Sequence, residues 1–307
     1  MFVLMTECAE NFVQHFLKKD EDVVTIEMKD AFTRLTNDVI ATIAFGVTVD
    51  SLENPTNEFY LMGKKATNTT FFTNLKLLSY IMIPNIKKLI SITLFSKEVG
   101  AFFRGIIDRT VKVREEQGIL RRDMVHLLLQ ARKGKPENKE EDVKNGSSPN
   151  ELVEIVKTKT PHQITNEDIT AQALIFFFGG FESVAGLMCF LAYELALNPE
   201  IQERLRNEVQ AFEEGGGELT QDVLTKMKYM DMVVSETLRK WPSFVSTDRV
   251  CTKPYTIEPK LPGEKPVHLK KGILSRFPST QSTTIHNTTQ IRNVSTLNAS
   301  TTKTRKT

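Results

Sequence analysis

The chain has 307 residues, 40% of them hydrophobic and 25% charged, which is typical of a globular protein and excludes disorder of the whole chain. Its formal net charge is only +2, and Lys and Arg are spread along the chain, so we expect no nucleic-acid partner. Cys8, Cys189 and Cys251 are far apart and odd in number, which argues against a disulfide framework and a zinc site.

Helical spacing of apolar residues dominates the first 130 residues and predicts a mainly α fold. The predicted helices cover residues 2–16, 28–45, 59–66, 99–113 and 124–131. Residues 77–95 are also apolar, but Pro84, Lys87 and Lys88 interrupt them, so we interpret this stretch as two amphipathic segments that touch a membrane surface. Residues 131–163 are rich in charged residues, which predicts a long solvated loop.

A long apolar helix is predicted from Thr165 to about residue 197. Thr165 and Asp168 have the spacing of a capping box, which marks its beginning. Because the segment is apolar on nearly all faces, we expect it to be buried in protein or in lipid. One alternative is therefore a membrane-spanning helix in which Glu182 is a functional acid.

Shorter elements follow the long helix. We predict helices at about 199–212 and 228–240, and β-like pieces at 244–250 and 255–257. From residue 273 the composition changes abruptly to Thr, Ser and Asn without any Asp or Glu, which predicts a disordered tail. We interpret this change as the result of a frameshift or a mis-spliced exon, with a genuine disordered tail as the alternative.

The centre of the long helix carries the sequence Gly179-Gly180-Phe181-Glu182-Ser183. Adjacent glycines cost a helix about 1 kcal/mol each relative to alanine. Their presence indicates that the helix needs a backbone without side chains at this point. Glycine allows a flat ligand to approach closely, and the next turn presents a carboxylate and a hydroxyl. The alternative is a tight helix crossing, with Glu182 paired to a cation.

Glu236 and Arg239 lie at i and i+3 on one face of the predicted helix 228–240. Such a pair is common and weak by itself. The order of five pieces is more specific: the long helix with its Gly-Gly-Phe-Glu-Ser motif, a helix beginning Asn-Pro-Glu, a glycine-rich turn, Ser-Glu-Thr-Leu-Arg-Lys-Trp-Pro, and Asp-Arg-Val-Cys. This order resembles the cytochrome P-450 family, and residues 44–46, 50–52 and 57–59 resemble its animal detoxification branch, especially the insect members.

The resemblance implies a role for each motif. Glu182 and Ser183 are similar to the residues that relay protons to oxygen, and Gly179 and Gly180 to those that let the haem approach the helix. Glu236, Arg239 and Arg249 are also similar to cofactor-binding positions: the first two order the proximal side of the haem, and Arg249 reaches a propionate. Four further residues are expected to line the substrate pocket, with plain core packing as the alternative: Phe177, Phe181, Phe244 and Val245.

The implied fold is mainly α with a small β portion, a cytochrome P-450 fold that is incomplete at both ends, with a partial domain at 1–272 and a tail at 273–307. The implied function is a haem-thiolate monooxygenase that uses O₂ and takes electrons from NADPH through a reductase. Its substrate would be a hydrophobic small molecule, and its location the cytosolic face of the endoplasmic reticulum membrane.

One departure from the family concerns the iron ligand. The loop Phe-x-x-Gly-x-Arg-x-Cys-x-Gly, whose thiolate binds haem iron, is absent, and none of the three cysteines has such neighbours. We therefore assign no metal ligand and expect this chain to be inactive as written. A non-catalytic relic of the same fold is the corresponding alternative.

Overall fold

The computed structural model describes residues 1–19, 23–68, 96–133, 164–214, 219–244 and 246–278. The predicted amphipathic segments at 77–95 and nearly all of the predicted loop at 131–163 lie outside these residues, as do Val245 and residues 279–307. Within the described residues the fold is mainly α with a small β portion, as predicted. Two compact units, residues 1–185 and 186–307, are described separately below.

Among the described residues, six helices begin in the first unit, and a single turn of π-helix at Ala41–Phe45 follows the second helix. Their bounds are α1 Phe2–Leu17, α2 Met28–Ile40, α3 Glu58–Thr67, α4 Lys97–Gln117, α5 Met124–Arg132 and α6 Asn166–Leu197. The capping box of α6 is confirmed, because the Thr165 backbone N–H donates to Asp168 Oδ2 at 2.8 Å and the Asp168 N–H donates to Thr165 Oγ1 at 3.2 Å.

The π-helical turn divides the helix predicted at 28–45 into two parts. It ends at Gly46, whose φ of 71° lies in the left-handed region that favours glycine. Arg121 donates from Nη1 to the Gly46 carbonyl at 2.9 Å and from Nη2 to Thr42 Oγ1. Arg114 and Asp123, whose side chains are 5% and 0% exposed, form a bidentate ion pair against the same glycine. Long-range contacts therefore hold this turn in place.

An aromatic cluster forms the core of the first unit. The Phe177 ring packs against those of Phe103 at 5.3 Å, Phe59 at 6.1 Å and Phe181 at 4.7 Å between centroids. Phe45 contacts three of these rings from the π-helical turn. Stacked and edge-to-face pairs at such distances add stabilisation beyond the burial of apolar area.

Helix α6 buries a single stripe of residues within the first unit, although its sequence is apolar on nearly all faces. The stripe has a spacing of four residues: Ile169, Ala173, Phe177, Phe181 and Ala185. Ile175 and Phe176, on another face, are 63% and 53% exposed. No described element of the first unit covers this second face, so burial of α6 in protein or in lipid stays a prediction there. Among the described residues α6 alone is long and apolar enough to cross a membrane, a test that core helices of soluble proteins also pass.

The described part of the second unit contains the end of α6, three helices and two antiparallel sheets of two strands each. Their bounds are α7 Pro199–Glu214, α8 Gln221–Lys226, α9 Lys228–Lys240, β1 Ser246–Val250, β2 Tyr255–Ile257, β3 Val267–Leu269 and β4 Leu274–Pro278. Strand β1 pairs with β4 and β2 pairs with β3. A paired strand therefore stands at the start of the range 273–307 for which the composition predicts disorder.

Helix α9 is held at both of its ends. Glu208 of α7 accepts from the backbone N–H groups of Tyr229 at 2.9 Å and Met230 at 2.8 Å, which satisfies donors at the beginning of α9. Beyond its other end, Trp241 donates from Nε1 to Glu194 of α6 at 2.8 Å. The Trp241 ring also stacks on Phe190 with centroids 4.5 Å apart. Burial disfavours ionisation of Glu194, but the hydrogen bonds from Lys240 and Trp241 outweigh it and lower the pKa of Glu194.

Asp38 is a buried carboxylate whose replacement we expect to be stabilising. It accepts from Ser51 N at 3.0 Å and from Asn37 Nδ2 at 3.0 Å, while the buried Asn37 Oδ1 has no partner. Burial raises the pKa of Asp38 above 3.8, so the stability linked to this group is largest in acid and is lost as the pH rises through the raised value. Asp38→Asn should remove the penalty, since a flipped Asn37 amide can then accept from Asn at position 38.

We expect Asp38→Asn to raise the free energy of unfolding by about 1 kcal/mol at pH 8, or several degrees in Tm. The advantage over the unsubstituted protein should shrink as the pH falls towards 3.8. Thermal unfolding of both proteins between pH 4 and pH 8 measures the difference. A lower Tm for Asp38→Asn at pH 8 would show that the charge itself is needed.

Candidate active site

One face of α2 packs against the Gly179–Ser183 motif of α6. Lys29 Nζ lies 2.6 Å from Glu182 Oε2, and Thr36 Oγ1 donates to the Phe181 carbonyl at 2.8 Å. Ile40 contacts Gly180. Residues 29, 36 and 40 are seven and four apart, which places them on the same side of a helix. Sequence reasoning missed these three residues, although their spacing is a detectable signal.

The two glycines of the motif have different surroundings. A Cβ atom on Gly180 would clash with the Ile40 side chain, its Cγ1 being 2.9 Å away. A Cβ atom on Gly179 would meet nothing within 4 Å. Close helix packing therefore accounts for Gly180, in agreement with the helix-crossing alternative, but it does not account for Gly179.

Glu182 and Ser183 do not share a hydrogen bond in this structure. Ser183 Oγ donates to the Gly179 carbonyl one turn back, and the Glu182 carboxylate pairs with Lys29. The side chains of Glu182 and Lys29 are 44% and 46% exposed, so this carboxylate is in contact with solvent. The Ser183 hydroxyl therefore lies beside the bare backbone of Gly179, and the preceding residue, Glu182, is a solvent-exposed acid.

The strip of α6 formed by Ile175, Phe176, Gly179 and Ser183 fits the flat apolar body of a haem. These residues share one face because they are three or four positions apart. Ile175 and Phe176 are exposed apolar side chains, and Gly179 leaves room for close approach. The hydroxyl of Ser183 is the polar group on this strip. The role of Gly179 as an approach point for a flat ligand stays a prediction.

An iron ligand is not evident in the part of the chain that the structure describes. No cluster of three or more His, Cys, Asp or Glu side chains suited to a metal is found among those residues. Burial, together with the nearby Asp38 carboxylate, raises the pKa of Cys8 to about 11, which opposes the thiolate form that binds iron. The Cys251 thiol donates to the Lys253 carbonyl at 2.8 Å.

The other predicted cofactor residues lie in the second unit. Glu236 and Arg239 are brought together as a bidentate pair, with 2.7 Å from Arg239 Nε to Glu236 Oε2 and 2.6 Å from Nη2 to Oε1. The hydrogen bonds to Glu236 raise the pKa of Arg239 against the opposing effect of burial. Arg249 is exposed on β1 and donates to Thr247 Oγ1 at 2.8 Å and to the Asp248 carbonyl at 2.7 Å.

The predicted pocket residues are divided between core and surface. Phe177 and Phe181 are fully buried in the aromatic cluster, which agrees with the core-packing alternative. Phe244 is 76% exposed, and Val245 lies outside the described residues. Among the described residues of the first unit, the exposed apolar side chains near the motif include Ile175, Phe176 and Val184, which the sequence analysis did not select as pocket residues.

Comparison with known proteins identifies relatives of this chain. The cytochrome P-450 family model matches residues 1–274. Cytochrome P-450 9e2 of Blattella germanica is 40% identical over 288 residues, which cover 89% of this chain and 51% of that protein. Probable cytochrome P-450 9f2 of Drosophila melanogaster is 37% identical, with 91% of this chain and 51% of that protein covered. Cytochrome P-450 6k1 of Blattella germanica is 33% identical, with 86% and 49% covered.

The chain belongs to the cytochrome P-450 family. It spans about half the length of the curated relatives that it matches. The predicted resemblance to insect members is confirmed by these relatives.

Proposed function

We propose that this chain is part of a haem-thiolate monooxygenase, in which α6 supplies the oxygen side of the active site. The observation that carries the proposal is the strip beside Gly179, where bare backbone, apolar side chains and the Ser183 hydroxyl occupy one face of a helix. Helix packing does not account for Gly179, so a flat ligand is the explanation that we favour.

The reaction that follows inserts one oxygen atom of O₂ into a hydrophobic small molecule. The other atom leaves as water, which requires two electrons and two protons. Bound haem would supply the iron centre at which O₂ is reduced. NADPH would supply the electrons through a reductase partner, and we place the protein at the cytosolic face of the endoplasmic reticulum membrane. Membership of the family supports each of these proposals.

The residues of this chain would handle the protons. Glu182 is exposed enough to take a proton from solvent, and Ser183 presents its hydroxyl on the strip. For transfer, the Ser183 hydroxyl would turn from the Gly179 carbonyl towards the open side of the strip. A positioned acid of this kind commonly contributes about 10²-fold or more to a rate. Gly179 would allow haem to approach, whereas the contact with Ile40 accounts for Gly180. By resemblance to the family, Glu236, Arg239 and Arg249 would support the proximal side of the haem and a propionate.

A test of this proposal is Ser183→Ala in a full-length enzyme that carries these residues. We expect haem content to be retained, because alanine is favourable in a helix. NADPH consumed per product should rise by about 10²-fold, since O₂ would be released as peroxide when the proton relay fails. Ser183→Thr, which keeps the hydroxyl, is the matched control and should stay close to the unsubstituted enzyme. Unchanged coupling in Ser183→Ala would contradict the proposal.

A non-catalytic relic is the second candidate for the chain as written. The sequence observation in its favour is that none of the three cysteines stands in the haem-binding loop of the family. The surroundings of Cys8 and Cys251 described above also favour it. Such a chain would keep the α6 strip but would not hold iron through a thiolate.

A further inference from the structure

We propose that Lys29 is a positioning residue for Glu182, an inference that rests on the proposed role of Glu182 in proton delivery. The two residues are 153 positions apart in sequence, yet Lys29 Nζ and Glu182 Oε2 are separated by only 2.6 Å. Lys29 lies in the first turn of α2, and its ammonium group fixes the carboxylate on the solvent side of the Gly179–Ser183 motif.

The contacts around Lys29 show why its position is well defined. Thr36, two turns later on α2, donates to the Phe181 carbonyl, and Ile40 packs on Gly180. These buried contacts fix the position of α2 against α6. The Lys29 backbone, from which the side chain extends, is therefore also fixed relative to Glu182. Lys29 then contacts the one residue of the motif whose side chain reaches solvent and carries a charge.

Neighbouring charged groups leave Lys29 as the direct partner of Glu182. Asp30, the next residue, is engaged by Arg34 at 2.6 Å and by the Tyr60 hydroxyl at 2.6 Å. Lys64 Nζ lies 3.9 Å from Asp30. Burial opposes ionisation of Asp30, but the hydrogen bonds from Tyr60 and Arg34 outweigh it and lower the pKa of Asp30. These groups therefore form a hydrogen-bonded network of their own beside the Lys29–Glu182 pair.

The expected consequence is specific to proton delivery. A surface ion pair contributes little to stability, so Lys29→Met should fold and shift Tm by about 2 °C or less. Without the ammonium group the Glu182 side chain would sample several rotamers, and misplacement of a catalytic group slows its reaction. NADPH consumed per product should rise by about tenfold in the full-length enzyme. Lys29→Arg, which keeps the positive charge, should restore most of the coupling.

The double substitution Lys29→Met with Glu182→Gln separates this inference from the proposed function. If Lys29 acts only through Glu182, Lys29→Met adds nothing once Glu182→Gln is present. An additional effect in that background, or no effect of Lys29→Met while Glu182→Gln impairs coupling, would overturn the positioning role. Unchanged coupling in Glu182→Gln would instead contradict the proposed function and the inference with it.

A second readout does not depend on turnover. A zero-length carbodiimide reagent joins a lysine amine to a carboxylate when the two are in contact, so Lys29 and Glu182 should be coupled in the folded full-length enzyme. Mass spectrometry of its peptides detects the bond, which should be absent in Lys29→Met and Glu182→Gln. The contact between Lys65 and Glu98 in the same unit is the internal control. Coupling of Lys65 to Glu98 without coupling of Lys29 to Glu182 would overturn the inference.

Discussion

Asp123→Ala is expected to lower the free energy of unfolding by about 3–5 kcal/mol, because it leaves the guanidinium of Arg114 buried without its partner. The Arg114 and Asp123 side chains are 5% and 0% exposed, so solvent cannot replace the lost contact without rearrangement. Asp123 Oδ1 also accepts from the His126 backbone N–H at 3.0 Å at the beginning of α5, and loss of this cap adds about 1 kcal/mol. The effect is a large share of the net stability of a domain.

Urea denaturation of the folded protein measures this change, and a matched control lies on the same helix as Arg114. Glu116 forms an exposed pair with Lys112 at 3.9 Å, so Glu116→Ala should cost about 1 kcal/mol or less. Replacement of both Arg114 and Asp123 by apolar residues should recover part of the loss, since no charge is then stranded. Equal effects of Asp123→Ala and Glu116→Ala would show that the buried pair does not stabilise the fold.

Local patterns in the sequence predicted most of the helices in the described residues. The α6 capping box, the end of α9 near Trp241 and the helical spacing of α2 all depend on residues a few positions apart. Such signals are available without any knowledge of tertiary contacts. The boundaries agreed well wherever a cap or a proline marked them.

Features that depend on distant residues could not be predicted in this way. The division of the predicted helix 28–45 depends on Arg114, Arg121 and Asp123, which reach Gly46 and Thr42 from more than 60 residues away in sequence. Periodicity alone continues through that point and gives no sign of a π-helical turn. The strand β4 likewise depends on pairing with β1, whereas the composition of its own segment favours disorder.

The candidate site shows the same distinction between local patterns, which the sequence predicts, and contacts between distant residues, which it does not. The motif Gly179 to Ser183 was recognisable because two glycines, an acid and a hydroxyl are adjacent. Its surroundings were not, since Ile40 and Lys29 lie in a different helix. The structure shows that the two glycines differ: Gly180 is packed against Ile40, whereas Gly179 has open space where a side chain would be. It also shows that Ile175 and Phe176 lie on a face of α6 that the described residues of the first unit do not cover.

We propose that α6 supplies the oxygen side of a haem site, and we expect that none of the three cysteines of this chain ligates the haem iron. The reduced carbon-monoxide spectrum of this chain, expressed alone with haem supplied, tests that claim directly. Thiolate ligation gives a distinctive spectrum, and a full-length relative measured in parallel provides the reference.

We expect no stable thiolate-type carbon-monoxide spectrum from this chain. The high pKa of Cys8, at about 11, keeps its thiol protonated, and none of the three cysteines lies in the haem-binding loop of the family. A stable thiolate-type spectrum that disappears in Cys251→Ser, or in the corresponding variant of Cys8 or Cys189, would contradict the claim and identify that cysteine as the ligand.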